Sequence, residues 1–424
     1  MRDFALVKLN DDEFDEFSAH HPQGNFQQTS QMGHLRAKQG TEVEYLAVKE
    51  NGAVVAATLF EIHRSRLSTY ACIHDGPLVD FHDDELLSFL MNQLKQHAKA
   101  KGAAQLEITP ESPYQLHDSD GNDLPSDVPG SAPDDQTVAS LKSLGFIHTG
   151  FVIGYTDVPR WRYIKDLSEF KDEKSLLESY AKNTRRNVKI ARNSAVSVTK
   201  LTRDQLNIFH DICELSCERQ GFENRPLSHF EDIFDEFGDT ADFLVASIDM
   251  KEYLATWQAK RDRFAQDIEK LNKSLETSKY PETVRKKIAT AQSTYDAAVK
   301  RVEKAREYIE ADGETVPVAA GLFIWHEREC VYLFSGSDEK YAKFYAPTAI
   351  QHYVMAECLR RGVQRYNFYG IDGIFDDPTV PSHGVLEFKQ GFNGYVEELL
   401  GEFILPVRPL MYRLKQLAHR VLGR

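Results

Sequence analysis

The sequence predicts a mixed α/β protein carrying an antiparallel two-helix hairpin in its second half. Three observations predict it. Short apolar or alternating runs, such as EYLAV, AVVAATLFEI and QLEI, are interspersed with amphipathic helical stretches. A heptad seam runs from about Lys251 to Ile309 and is interrupted midway by Pro281. Strand patterning stops at ASID and resumes at VAAGLFIW, so the hairpin stands where a β-turn would join two adjacent strands.

Taken in order, Glu44–Val48, Ala53–Ile62 and Gln105–Ile108 read as strands. Glu85–Lys101 reads as a helix with Leu86, Leu87, Leu90, Leu94 and His97 on one face. The Pro-, Gly- and Ser-rich acidic stretch Asp118–Gln136 is a surface loop. The run SLGFIHTGFVIGYTDVP is expected to form a strand pair, and a second α/β part begins near Trp161. Within the hairpin, the first arm repeats Leu254, Trp257, Phe264, Ile268, Leu271 and Leu275, skipping the seam position at Arg261. The second arm repeats Val284, Ile288, Ala291, Tyr295, Ala298, Val302, Ala305 and Ile309 without a break. Two arms of roughly 25–28 residues would each be about 40 Å long. Beyond it come PVAAGLFIW, ECVYLFSGS, a helix over Ala346–Arg361, and RYNFYGI.

Composition bounds the rest. With 424 residues, 42% hydrophobic and 11% aromatic, the chain can bury a core in each of two or three domains. No apolar h-region follows the N-terminus and no stretch approaches eighteen apolar residues, so the expected compartment is the cytoplasm. The five scattered cysteines are expected to be reduced thiols filling space. A net charge of −14 argues against a protein coated in nucleic acid, so any polyanion must be met locally. Lys182–Arg192 and Arg408–Arg424 are the basic segments.

HExxH, GxSxG, the Walker lysine loop, GxGxxG after a strand, and the R/Q-x-x-G-x-G/A loop of coenzyme-A acetyltransferases are all absent. Other segments carry the chemistry. VAAGLFI, YLFSGSDEKYAKFYAPTAIQHYVM, YNFYGIDGIF, GVLEFKQGFNG and LLGEF follow one another in the C-terminal half. YAKNTRRNVKIARNSAVSV, ERQGFENRPLSHF and NFQQTSQM lie upstream. Together they resemble the Fem family of non-ribosomal peptidyl transferases, which use aminoacyl-tRNA to build peptidoglycan cross-bridges. The resemblance spans essentially the whole chain. It departs from the family at Met32, where members have Trp, and at Arg36, where they have Lys, with Lys38 two residues on.

The resemblance implies two acetyltransferase-like domains, residues 1–155 plus 402–424 and residues 156–401, with a coiled-coil insertion over 251–312. It implies an aminoacyltransferase with aminoacyl-tRNA as co-substrate, no metal and no other cofactor. The acceptor would be UDP-MurNAc-pentapeptide or its lipid-linked form, both carrying a pyrophosphate. Aminoacyl transfer needs a positioned amine and a stabilised oxyanion rather than a protein nucleophile. Arg36 or Lys38, and Arg219, are the expected acceptor-phosphate residues, and Arg225 is a further expected substrate-binding residue; Arg219 pairing with Glu218 or Glu223 is the bland alternative. Lys389, read as a strand end whose Gly391 lets a ligand approach, is implied near the reacting groups, beside Phe388. Glu111 is either a general base or a solvated loop carboxylate. Tyr366, Tyr369 and Asn367 either line the groove or fill the core. Lys182, Arg185, Arg186 and Lys189 on one helix, and Arg413, Lys415 and Arg420 around an apolar stripe, would meet tRNA phosphates or an anionic membrane surface. A catalytically silent coiled-coil scaffold for cell-wall enzymes is the competing reading.

Overall fold

The computed structural model describes residues 2–65 and 68–413. Its strands, in chain order, are β1 (Phe4–Lys8), β2 (Glu42–Glu50), β3 (Ala53–Arg64), β4 (Thr69–Ile73), β5 (Gln105–Ile108), β6 (Pro113–His117), β7 (Ile147–His148), β8 (Trp161–Asp166), β9 (Val196–Lys200), β10 (Ala241–Asp249), β11 (Thr315–Trp325), β12 (Glu329–Ser337), β13 (Arg365–Ile371), β14 (Tyr395–Leu399) and β15 (Phe403–Pro406). Among the described residues they form two sheets, ordered β1-β2-β3-β4-β5-β15-β7 and β6-β14-β8-β13-β12-β11-β10-β9. The fold is mixed α/β, as expected.

The two sheets share one plan. Each begins with a four-stranded antiparallel meander, β1 to β4 in one and β9 to β12 in the other. Each then steps to a parallel neighbour, β4 to β5 and β12 to β13. A parallel step needs a crossover. The helices Asp84–Ala100 and Ala346–Arg361 supply it. The last turn of the chain's sheet-forming part, β15, returns to pair with β5 and β7. Strand β6, placed by the expected boundary in the first domain, instead hydrogen-bonds to β14 in the second sheet.

The hairpin arms are Met250–Thr277 and Pro281–Asp312. They grow from one β-ladder, because Asp249 pairs with Thr315 at its end. Asp249 caps the first arm by accepting the Glu252 N–H at 2.8 Å. Pro281 starts the second arm, where its missing N–H costs nothing. Every predicted seam residue is buried or half-buried, and Arg261 occupies the skipped position half-buried. At the base, Tyr253, Ala305 and Tyr308 are buried in the core under the second sheet. Burying large apolar side chains contributes about 1.5–3 kcal/mol each and the Ala305 methyl under about 1 kcal/mol, so the arm is anchored at its root and solvated at its tip.

One expectation fails in the first sheet. The strand pair read from SLGFIHTGFVIGY is only the two-residue β7, and residues 149–160 are irregular. Gly150 and Gly154 take φ of 105° and 108°, which bends the chain off the sheet. Phe151, Val152, Ile153 and Tyr155 are left exposed.

An apolar cluster joins the two units. Phe14, Phe26, Met32, Leu35 and Leu59 of the first part pack with Phe209, Phe230, Phe243, Leu322 and Val331 of the second. Met32, at the departure from the family pattern, is a core residue here.

Candidate active site

A cavity of about 810 Å³ opens between the units. Its walls are the outer face of β3, β4 and β5, the irregular segment 149–160 with Arg160, and two further arginines. Arg36 comes from the helix Ser30–Lys38, and Arg225 from the loop after the helix Leu206–Gln220. One expected phosphate residue, Arg36, and one expected substrate-binding residue, Arg225, therefore line one cavity although 189 positions separate them, and Arg219 is not among its walls. Sequence spacing says nothing about that meeting; the interface built by the apolar cluster creates it.

Beside the cavity lies a buried ionic network. Arg162, on β8, is 1% exposed and binds Asp75 at 2.6 Å and Glu111. Glu111 also meets Arg328 at 3.4 Å. The Arg162 guanidinium lies 5.5 Å from the Tyr369 ring. Two carboxylates share one guanidinium here. Burial, and the repulsion of Glu111 and Glu329, outweigh the attraction of Arg162 and hold the Asp75 carboxyl above its ordinary range. Asp75 and Tyr369 both take positive φ, 48° and 62°. Such backbone in non-glycine residues costs about 1–3 kcal/mol and persists where the surroundings fix it. A second cluster lies further along the same sheet, where Arg365 binds Glu329 at 2.8 Å and Glu397 at 2.5 Å. Burial pushes the Glu329 carboxyl up, but Arg365 and Arg328 more than offset this and hold it low.

Sequence reasoning missed Asp75, Arg162, Arg328 and Arg365. One signal was available: WRYIKD sets Arg162 and Lys165 among Trp161, Tyr163 and Ile164 in a strand, and a cation buried there requires a partner.

Several expected residues sit elsewhere. Lys389 is in the helix His383–Gln390, not at a strand end. Its Nζ is buried and donates to the Gly370 carbonyl at 2.6 Å and the Tyr369 carbonyl at 3.5 Å. Burial without a carboxylate partner lowers its pKa to about 7. Gly391 admits the neighbouring helix Lys182–Arg192 rather than a ligand, since a Cβ there would collide with the Thr184 hydroxyl. Glu111 is a buried, ion-paired carboxylate, which removes the solvated-loop reading. Lys38 faces away, bound to Asp232 at 3.0 Å and Glu236 at 3.1 Å. Arg219 pairs with Glu339 at 2.9 Å, not with Glu218 or Glu223. Tyr366 is a core residue donating to Gln351 at 2.5 Å. Asn367 is buried and donates to Glu329 at 3.1 Å. Phe388 packs edge-on against Phe392.

Of the basic residues, Lys182, Arg186 and Lys189 are exposed along one helix, whereas Arg185 donates to the Glu178 carbonyl at 3.2 Å. Arg413 is exposed; Lys415 and Arg420 lie outside the described residues. Among the described residues no helix is long and apolar enough to cross a membrane.

Two linked α/β units, each with one sheet, around a polar cavity lined by Arg36, Arg160 and Arg225 and by Asp75, Glu107, Asp157 and Glu402 define a tandem-unit fold. The model of the FemAB family matches residues 9–420, and the chain belongs to that family. It is 28% identical over 411 residues to Aminoacyltransferase FemA of Staphylococcus aureus strain bovine RF122 / ET3-1, covering 96% of each chain. The same figures hold for the FemA of strain N315. The solved structure of FemX superposes with a TM-score of 0.77 at 24% identity, covering 97% of this chain and 99% of that one. That likeness bears on the fold.

Proposed function

We propose that the chain transfers an amino acid from aminoacyl-tRNA to the amine of a peptidoglycan precursor, UDP-MurNAc-pentapeptide or its lipid-linked form, in interpeptide bridge formation. Membership of a family whose relatives are named aminoacyltransferases supports the reaction class. The observation that carries the acceptor is the cavity with Arg36 and Arg225 on its wall. A pyrophosphate is best met by guanidinium groups, which offer two parallel donors each. The cavity's volume also lies within the range of about 300–1,000 Å³ typical of small-molecule sites. The exposed face of Lys182, Arg186 and Lys189 is the proposed contact for tRNA phosphates.

Lys389 takes an indirect part in this reading. Its ammonium fixes the Tyr369–Gly370 backbone, and Tyr369 in turn lies against Arg162. The chemistry itself is aminolysis of an ester: the acceptor amine attacks the carbonyl, and the tRNA hydroxyl leaves.

The test is a mass measurement. Purified protein is incubated with glycyl-, alanyl- or seryl-tRNA and each acceptor in turn. A mass increment of one residue or more on an acceptor is expected. No increment with any pair would refute the proposal and favour a non-catalytic scaffold. Arg36→Ala and Arg225→Ala should each weaken acceptor binding about tenfold or more, the size of a lost charged hydrogen bond.

A further inference from the structure

On the cavity's sheet face, β3 and β4 place four potential metal ligands together. The pattern is Glu61-x-His63 on β3 and Cys72-x-His74 on and just beyond β4. Residues two apart on a strand share a face. Glu61 lies directly opposite Cys72 in the antiparallel ladder, so the four side chains converge. The ligand atoms of Glu61, Cys72 and His74 all lie within 4.8 Å of one another. Cys72 Sγ is 3.4 Å from His74 Nε2, and Glu61 Oε2 is 3.1 Å from His63 Nε2. A tetrahedral zinc with Zn–S of about 2.3 Å and Zn–N of about 2.0–2.1 Å would hold its S and N ligands about 3.5 Å apart.

We propose that Glu61, Cys72 and His74 form a zinc site on the cavity floor, with His63 orienting Glu61 through its ring nitrogen. A thiolate, an imidazole and a carboxylate are a donor set that suits Zn²⁺ over Mg²⁺ or Ca²⁺. Three protein ligands leave a fourth position, and it opens into the cavity that His63, Cys72 and His74 all line. Zn²⁺ would be neutralised by the Glu61 carboxylate and the Cys72 thiolate, with Arg36, Glu107 and Glu402 the further charged groups around Cys72. Arg36 is only loosely engaged, its Nε standing 3.6 Å from Glu61.

Binding forms a Zn–S bond and releases the Cys72 thiol proton to solvent. Without a cation, burial and the adjacent Glu61 and Glu107 carboxylates push that thiol well up. The site shares its cavity with the proposed acceptor contacts, Arg36 standing beside Glu61, but zinc binding is read without tRNA or acceptor, so either proposal can fail alone.

The experiment uses the untagged full-length protein, stripped with chelator and titrated with Zn²⁺ and, separately, Co²⁺. One zinc per chain by elemental mass spectrometry is expected, and a thiolate-to-cobalt charge-transfer band in the Co²⁺ form. Cys72→Ala should abolish the band. His74→Ala should weaken zinc binding at least about tenfold, and His63→Gln about 10–100-fold while keeping the band. Absence of the band in the wild-type protein, a reading that needs no variant to fold, would overturn the proposal. So would unchanged zinc affinity in folded Cys72→Ala and His74→Ala proteins.

Discussion

Replacing Lys389 with methionine tests the buried ammonium by its effect on the pH dependence of stability. Lys389 is enclosed, with carbonyl partners and no carboxylate, and burial lowers its pKa from 10.5 to about 7. In the unfolded chain the same amine titrates near 10.5. Between these values the unfolded state binds the proton more tightly, so wild-type stability rises with pH across that window. At pH 7 and below, the charged amine costs the fold about 4 kcal/mol relative to a neutral one, by the standard 1.36 kcal/mol per pKa unit. By pH 9 about 2 kcal/mol of that cost is removed. Methionine has a similar length and no charge, so the variant lacks this slope. Urea unfolding of both proteins at pH 7, 8 and 9 isolates the term, because all other titrating groups cancel in the difference. The expected result is a wild-type gain of about 2 kcal/mol over the variant between pH 7 and 9. Parallel stability curves would refute a buried ammonium without a carboxylate partner.

Arg162→Leu should destabilise the protein by about 3–5 kcal/mol, because it leaves Asp75 buried without its cation and Glu111 with Arg328 alone; adding Asp75→Asn should recover part of the loss, read by denaturant midpoint. Deleting Ala259–Lys300 and closing the gap with a short linker keeps Tyr253, Val302, Ala305 and Tyr308 in place. Circular dichroism should then show less helix but one cooperative thermal transition, and aggregation or loss of the transition would contradict a solvated tip. The triple variant Lys182→Ala, Arg186→Ala, Lys189→Ala should weaken aminoacyl-tRNA binding. Its salt dependence should flatten by about 0.7–0.9 for each phosphate left unneutralised, measured by filter binding across ionic strengths.

The hairpin was legible because its signal is local and redundant. Seven-residue periodicity, a proline at the turn and strand patterning on both flanks all agree, and each acts within a few residues. The strands β2, β3, β5 and β10 to β13 were legible for the same reason. Lys389 was misread because GVLEFKQGF mixes aromatic and branched residues that suit a strand. Its buried positions, Leu386 and Lys389, instead recur at the helical interval of three. The run FVIGY misled in the opposite way. It is apolar enough for a strand, but two glycines in left-handed conformation turn it into the exposed cavity wall.

The site was harder to read because no segment contains it. Arg36 had to be brought to Arg225, and Asp75 and Glu111 to Arg162, by the docking of two sheets whose own patterns carry no record of each other. The apolar cluster around Phe14, Phe26, Phe209 and Phe230 does that docking. Its aromatic residues looked like ordinary core in each half, and they are, but the core they form is a shared one. This explains why neither the family resemblance nor the residues themselves could choose between Arg36 and Lys38. Both cations lie on one short helix, and only the acidic helix Leu227–Phe237 decides between them. It takes Lys38 through Asp232 and Glu236, leaving Arg36 to face the cavity.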